Sequence, residues 1–185
     1  MPPSREAFIG LTYPWNQGWS TCSTQGPIQI GNQFRFYFGG QSGAHIHVKQ
    51  GPRKVGVIGL AEMTVDRFAS IIAGFMEDRL VTKPIRWPGG DLLLNASTTR
   101  ELDADPRLTG GRLSVEVWDA EGRPVPGYSG DDQGPFDRNT PSRGDKETAV
   151  FRWPGDRSLN DLIGQDIRLV FHMQDFHLYS FRSNV

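Results

Sequence analysis

The sequence predicts an all-β protein, in which a jelly-roll-like antiparallel β-sandwich follows an N-terminal blade-like β-sheet. Two observations predict this fold class. Apolar and polar residues alternate over many short segments, which is the period-2 pattern of strands with one buried face. The 22 glycines and 13 prolines are scattered rather than repeated, as in chains whose short strands are joined by turns. A length of 185 residues suits one domain, or one domain with an appendage.

Residues 1–26 are predicted to form a loop segment, because proline, glycine, serine and threonine are frequent there. The segment nevertheless carries four large aromatic residues. These are Phe8, Tyr13, Trp15 and Trp19. The more common fate of such rings is to cover a sheet face, and the functional alternative is a platform that stacks on sugar rings.

Residues 27–75 are predicted to form the blade-like sheet from four short strands. The first is 28–38, in which apolar and polar residues alternate after a hairpin turn near Gly31. The other three segments are 44–48, 55–64 and 68–73. A helix over residues 65–80 is the alternative for the last of them, but the β-branched pair Ile71 and Ile72 favours a strand.

Residues 76–185 are predicted to form the sandwich. Six segments in this part are strand-like: 80–85, 91–96, 112–118, 148–153, 167–173 and 178–181. The clearest pattern lies in 112–118, where Leu113, Val115 and Val117 share one face. Residues 159–162 indicate a short helical turn before the last pair of strands.

A hairpin and a polar loop are expected after the strand 112–118. Gly122 lies in a short polar turn, and residues 123–125 can return as a second strand. Because Pro124 cannot donate to a central ladder, this returning strand is expected at a sheet edge. The polar segments 98–109 and 131–146 are expected to lack strands, and long loops of this kind are often functional.

Charge and hydropathy argue against two classes of partner. The formal net charge of -1, with mixed signs along the chain, offers no basic stripe for nucleic acid. No apolar run approaches the length of about 20 residues that a membrane helix needs. The first ten residues lack the apolar stretch of a signal peptide. Cys22 is the only cysteine, so an intrachain disulfide is impossible and the redox compartment is left open.

Five runs of the sequence resemble, in this order, the C-terminal part of bacterial glycoside-hydrolase-like proteins related to glycosidase families 32 and 43. The runs are GLAEMTVDRFASIIAG, LVTKPIRWPGGDLLLNAS, GRLSVEVWDAEGRPVPGYSGDD, VFRW and LIGQDIRLVFHMQDFHLYSF. In those proteins a five-bladed β-propeller carries the catalytic carboxylates, and a β-sandwich follows it. The run GPIQIGNQFRFYFGG looks like a strand pair of the last blade. The resemblance covers about residues 26–181 and implies a scaffold rather than a substrate.

The resemblance implies a role without catalysis, because one blade cannot close a propeller around an active site. The expected function is a non-catalytic accessory or carbohydrate-binding module. The candidate sugar contacts are Trp15, Trp19, Tyr37 and Tyr128. A fragment of a glycosidase, or a divergent one, is an alternative, and so is a structural module that forms homo-oligomers through open strand edges.

A glycosidase needs two carboxylates about 5 to 10 Å apart. Glu62, Asp66 and Glu116 are the acidic candidates, but their spacing singles out no pair, and a solvated face is the more common explanation.

Two metal sites are conceivable from residue types. Asp131, Asp132 and Asp137 can supply carboxylate oxygens to a structural calcium ion, which would be a cofactor of this protein. Loop acids without a bound metal are more common. His45 and His47 lie two apart, so on a strand they would share a face and could share a metal. Together with Gly39 they match the G-x5-H-x-H opening of cupins, but the glutamate that follows in cupins is missing. A hydrogen-bonded histidine pair is the simpler expectation.

Overall fold

The computed structural model has the predicted all-β architecture. The chain divides into two compact units, Met1–Val65 and Asp66–Val185. The paired strands of both units are antiparallel. The structure describes residues 7–43, 55–98, 111–132, 134–136 and 149–185.

The first unit is a four-stranded sheet, called the N-terminal sheet below. Its strands are β1 (Trp19–Cys22), β2 (Ile28–Ile30), β3 (Gln33–Gln41) and β4 (Gly56–Thr64). β4 pairs with β3 along its whole length, and β1 and β2 pair with the two ends of β3 on its other side. The turn between β2 and β3 contains Gly31 at φ 59°, as the predicted hairpin requires. β1 lies in the segment that was expected to be a loop.

Aromatic rings from the N-terminal segment cover one face of this sheet. The Phe8 ring meets Phe36 edge-on at 5.0 Å between centroids, and the Trp15 ring stacks on Phe38 at 5.6 Å. A Cβ atom added at Gly40 would lie 2.6 Å from the Trp15 ring, so the indole sits directly on the β3 backbone. These two rings therefore serve as a cover for the sheet, which is the structural role expected of them.

The second unit is the sandwich. Its first four strands are β5 (Ile71–Ala73), β6 (Asp78–Val81), β7 (Ile85–Arg86) and β8 (Leu92–Thr98). The others are β9 (Arg112–Asp119), β10 (Gly134–Phe136), β11 (Ala149–Phe151), β12 (Asp166–Gln174) and β13 (Phe176–Ser183). One sheet has the order β10-β9-β12-β6, with β7 also paired to β12, and the other has the order β11-β8-β13-β5.

The strands of the sandwich pair in a nested order. The first pairs with the last, β5 with β13, and inside that pair β6 and β7 pair with β12, β8 with β11, and β9 with β10. The nested pairs are rolled up so that β13 also pairs with β8, and β12 with β9. This arrangement of antiparallel strands in two sheets is a jelly roll, as predicted.

Three local predictions need correction. The strand expected over 68–73 is shorter, and its residues Ile71–Ala73 pair with β13 in the sandwich rather than with the N-terminal sheet. The returning strand at 123–125 is reduced to one bridge between Trp118 and Pro124, since proline cannot extend the ladder. The edge position beside β9 is taken instead by β10, which lies in a loop expected to have no strand.

The core lies between the two sheets of the sandwich. Its strand residues come from both: Ala73, Leu92, Leu94, Ala96, Leu113, Val115, Val117, Phe151, Ile167, Leu169, Phe171, Met173, Phe176 and Leu178. Trp153, 2% exposed, donates its Nε1 hydrogen to the Val115 carbonyl at 2.9 Å. The predicted helical turn is a 3₁₀ turn over Leu159–Leu162, which buries both of its leucines.

Candidate functional site

The outward-facing side of the β9–β12 sheet carries a group of charged and aromatic side chains. Alternation places Glu116 and Trp118 of β9 on this side, because their neighbours Val115 and Val117 are in the core. His172 of β12 is opposite Ser114 of β9 and opposite Arg79 of β6. We call the set the outer cluster: Glu77, Arg79, Glu116, Trp118 and His172.

Glu116 is the best-fixed member of the outer cluster. Its side chain is 14% exposed. One carboxylate oxygen accepts a hydrogen bond from Trp118 Nε1 at 2.9 Å, and the other accepts one from the Gly130 amide at 3.4 Å. The second bond attaches the 3₁₀ turn Gly130–Asp132 to the sheet. Glu116 thus fixes the orientation of the Trp118 indole and the position of the 3₁₀ turn Gly130–Asp132.

His172 lies between two carboxylates. Its Nε2 is 3.6 Å from Glu116 Oε1, and its Nδ1 is 3.8 Å from Glu77 Oε1. Both distances are too long for good hydrogen bonds, and Nε2 is a buried nitrogen that has no hydrogen-bond partner. Because the carboxylates approach opposite nitrogens of one ring, they do not converge on a common point. Within the described ranges no group of three or more His, Cys, Asp or Glu residues is placed to hold a metal ion.

Trp118 gives the outer cluster its apolar surface. The ring is half-buried, and the Arg79 guanidinium lies 5.3 Å from its centroid, in range for a cation–π contact. Val170, on the same side of β12 and opposite Glu116, is fully buried. The site therefore combines a half-buried indole with an exposed guanidinium and a fixed carboxylate, above the buried side chain of Val170.

A second polar cluster lies on the outward side of the β8–β13 sheet. Arg67 donates to Asn95 Oδ1 at 3.0 Å, and its guanidinium lies 4.8 Å from the centroid of the Tyr179 ring. Ser70 Oγ is 2.9 Å from His177 Nδ1. Tyr179 sits at a β-bulge. The side chains satisfy one another, so the cluster ties the segment containing Arg67 and Ser70 onto the sandwich.

Two of the predicted sugar contacts in the N-terminal segment are committed to other partners. The Trp15 ring stacks on Tyr13 and on Phe38, with centroids 5.6 Å apart in both cases, so neighbouring rings occupy its faces. Trp19 donates its Nε1 hydrogen to Gln41 Oε1 at 3.0 Å. The Trp15 ring is therefore not an open platform, whereas Trp19 is half-buried and held at its Nε1 edge.

The other two predicted sugar contacts differ sharply in exposure. Tyr37 is 46% exposed on the face of the N-terminal sheet opposite Trp15. Tyr128 is 4% exposed, and its hydroxyl donates to the Ser158 carbonyl at 2.8 Å. Its ring packs edge-on against Trp153 with centroids 5.4 Å apart, so Tyr128 is a core residue that offers no ring face to a ligand. Within the N-terminal sheet, Trp15 and Tyr37 lie on opposite faces and so do not form one surface.

The predicted metal ligands are only partly described. Asp131 is exposed on the 3₁₀ turn Gly130–Asp132. Of Asp132, the last residue of this turn, only the backbone is described. Asp137, His45 and His47 lie outside the described residues.

The three acidic candidates have different local surroundings. Glu62 pairs with Arg35 at 2.7 Å in the N-terminal sheet, and Asp66 sits at φ 63° after β4. Only Glu116 of the three joins a wider cluster.

No protein-family model, curated protein or solved structure matches the chain. Within the described residues there is also no helix that is both long and apolar enough to cross a membrane. Function is therefore inferred from the jelly-roll topology and from the geometry of the outer cluster.

Sequence reasoning considered Glu116 only as an isolated acid and did not find Trp118 or Arg79. The approach of Glu116 to His172 depends on the β9–β12 register, in which Glu116 faces Val170, two residues before His172. A local signal did exist, because Glu116 and Trp118 occupy the polar phase of the clearest strand in the sequence. Two such side chains on the outer phase of one strand share a surface.

Proposed function

We propose that this protein is a non-catalytic carbohydrate-binding module that presents the outer cluster of its jelly-roll sandwich to a sugar. The observation that carries the proposal is the half-buried indole of Trp118, fixed at Nε1 by Glu116, with the Arg79 guanidinium over one ring face and the other face proposed as the stacking surface for a ligand. An indole already held at its Nε1 edge loses little conformational entropy when a ligand stacks on it.

The chemistry of the cluster matches the two kinds of surface on a sugar ring. The C–H face of a pyranose is apolar and stacks on aromatic rings, while its hydroxyl groups donate and accept hydrogen bonds. Arg79 is an exposed donor. The Glu77 carboxylate, whose side chain is 65% exposed, is an acceptor on the same side. Jelly rolls also serve as lectin domains, so the scaffold is compatible with this use.

The resemblance to the C-terminal part of glycoside-hydrolase-like proteins supports an accessory role for the module. In such a setting the sandwich would hold a polysaccharide near a catalytic domain, and the linkage would raise the local concentration of substrate. The accessory role needs no catalytic residue in this chain.

Hydrolysis of glycosidic bonds is less well supported by the outer cluster. A glycosidase places the sugar between its two carboxylates. Here the imidazole of His172 occupies the space between Glu116 and Glu77. The two acids therefore flank a side chain rather than an open subsite.

A glycan array followed by titration calorimetry tests the proposal. We expect the full-length protein to bind at least one class of oligosaccharide, and Trp118→Ala to weaken binding roughly tenfold or more, which corresponds to about 1.4 kcal/mol. Tyr37→Ala is the matched control, because it removes an exposed aromatic ring from the N-terminal sheet. An array without any bound sugar, or equal affinities for wild type and Trp118→Ala, would contradict the proposal.

A further inference from the structure

Within the described part of the chain, the outer edge of β4 is an open strand edge. β4 pairs with β3 on one side, and no other described strand pairs with it. The ladder between β3 and β4 runs through nine residue pairs without a register shift, so no bulge distorts it. The strand also contains no proline, lysine or arginine, the residues that commonly block edge pairing. A regular and unprotected edge of this length is a template for another strand.

The hydrogen bonds at the two ends of the ladder fix which groups point outward. Val65 N donates to Asn32 O at 3.0 Å, and Ser42 N donates to Val55 O at 3.1 Å. Since bonded pairs alternate along an antiparallel ladder, the odd-numbered residues of β4 bond to β3. The even-numbered residues therefore direct their main-chain N–H and C=O groups to the open edge: Gly56, Ile58, Leu60, Glu62 and Thr64.

The side chains beside this edge are apolar and exposed. Ile58 is 79% exposed and Leu60 is 47% exposed, and Leu60 lies next to Tyr37 of β3, which is 46% exposed. Glu62 is the only charged residue of β4, and Arg35 pairs with it at 2.7 Å. Two such edges can meet without repulsion between like charges.

We propose that the protein forms a two-fold symmetric dimer in which the β4 edges of two copies pair antiparallel. A two-fold axis at Gly59 places Ile58 opposite Leu60 of the second copy, and the reverse, so the exposed apolar side chains bury each other. Glu62 then lies opposite Gly56 of the second copy, which leaves room for its pair with Arg35. Gly59 lies opposite Gly59 of the second copy. Its side-chain position is on the sheet face opposite to that of Ile58 and Leu60.

A second copy is the occupant that this edge fits best because the match is self-complementary. The pairing forms about eight main-chain hydrogen bonds and joins the two N-terminal sheets into one. The alternative axis at Leu60 would place Ile58 opposite Glu62, an apolar side chain against an ion pair, and is disfavoured. The pairing involves a single strand from each copy, so the dimer is expected to be weak and to dissociate on dilution.

Sedimentation velocity of the full chain at concentrations from about 1 to 200 μM tests the dimer. We expect the mass to rise from 20.7 kDa towards twice that value. Ile58→Lys is expected to stay monomeric, because it places a charge on the shared edge. Ile30→Lys is the matched control, since Ile30 is 51% exposed on the same face but lies on β2, and it is expected to dimerise.

Cysteine cross-linking tests the register. In a Cys22→Ser background, chains carrying Ile58→Cys are mixed with chains carrying Leu60→Cys. Directly opposed residues have Cα atoms about 5.5 Å apart, within reach of a disulfide, whereas residues offset diagonally are about 7–8 Å apart. We expect rapid cross-linking in the mixture and little in either protein alone. A monomer at every concentration, dimerisation of Ile58→Lys, or equal cross-linking in all three samples would overturn the proposal.

Discussion

The substitution Tyr128→Phe tests whether the loop after β9 is tied to the core of the sandwich. Tyr128 is 4% exposed, and its hydroxyl donates to Ser158 O at 2.8 Å and lies 3.2 Å from Asp161 Oδ2. Phenylalanine keeps the edge-on contact with Trp153 and removes only the oxygen. The variant therefore loses the hydrogen bond to Ser158 O and the weaker one to the exposed Asp161 carboxylate. We expect the free energy of unfolding to fall by about 1–2 kcal/mol.

The effect of Tyr128→Phe should also depend on pH. Burial raises the pKa of the Tyr128 phenol above its usual value of 10.0, and the nearby Asp161 charge raises it further. At pH values just above 10 the folded protein therefore keeps the Tyr128 phenol protonated, whereas the unfolded chain begins to lose that proton. The stability that the hydroxyl contributes is thus complete below pH 10 and declines as the pH rises through the folded pKa. The difference between wild type and Tyr128→Phe should narrow above pH 10.

Urea unfolding at several values between pH 7 and pH 11 measures this difference. Tyr37→Phe is the control, because it removes a hydroxyl from a tyrosine that is 46% exposed, and its effect should stay within about 0.5 kcal/mol. Equal stability of wild type and Tyr128→Phe at pH 7, or a difference that widens with rising pH, would refute the reasoning.

Two further substitutions test an ion pair in the sandwich and the packing of Trp15 on the N-terminal sheet. The Arg152 guanidinium lowers the pKa of Asp91, so Asp91→Asn should cost about 1 kcal/mol at pH 7. The cost should shrink as the pH falls through the lowered pKa and the wild-type carboxylate loses its charge, which urea midpoints over an acidic pH series check. Gly40→Ala should destabilise the N-terminal sheet by about 1–3 kcal/mol through the clash with Trp15, whereas Gly39→Ala, whose Cβ meets open space, should be near neutral in thermal melts.

Local alternation was enough to predict most strands of the sandwich. Leu113, Val115 and Val117 are at most 2% exposed, as their phase in the sequence indicated. The order of the strands is a different kind of information, because the pairing of β5 with β13 joins segments about a hundred residues apart. The jelly-roll expectation was confirmed, but the place of Ile71–Ala73 in the sandwich could not be read from its own pattern.

The candidate site was less predictable than the fold. Tyr128 follows a glycine in a polar loop, which suggests exposure, yet Trp153 and Ser158 enclose it from distant parts of the chain. Glu116 and His172 likewise meet only because β9 and β12 pair in one register. Burial of a loop residue and contact across strands both depend on tertiary packing, which local sequence does not encode.

Amide and indole NMR shifts test most directly whether a sugar binds at the outer cluster. The full-length protein, labelled with nitrogen-15, is titrated with the oligosaccharide selected on the glycan array. We expect the largest shifts at the Trp118 indole N–H, which donates to Glu116, and at the β9 and β12 amides around Val170. Shifts confined to the N-terminal sheet around Tyr37, with the Trp118 indole unmoved, would contradict this expectation.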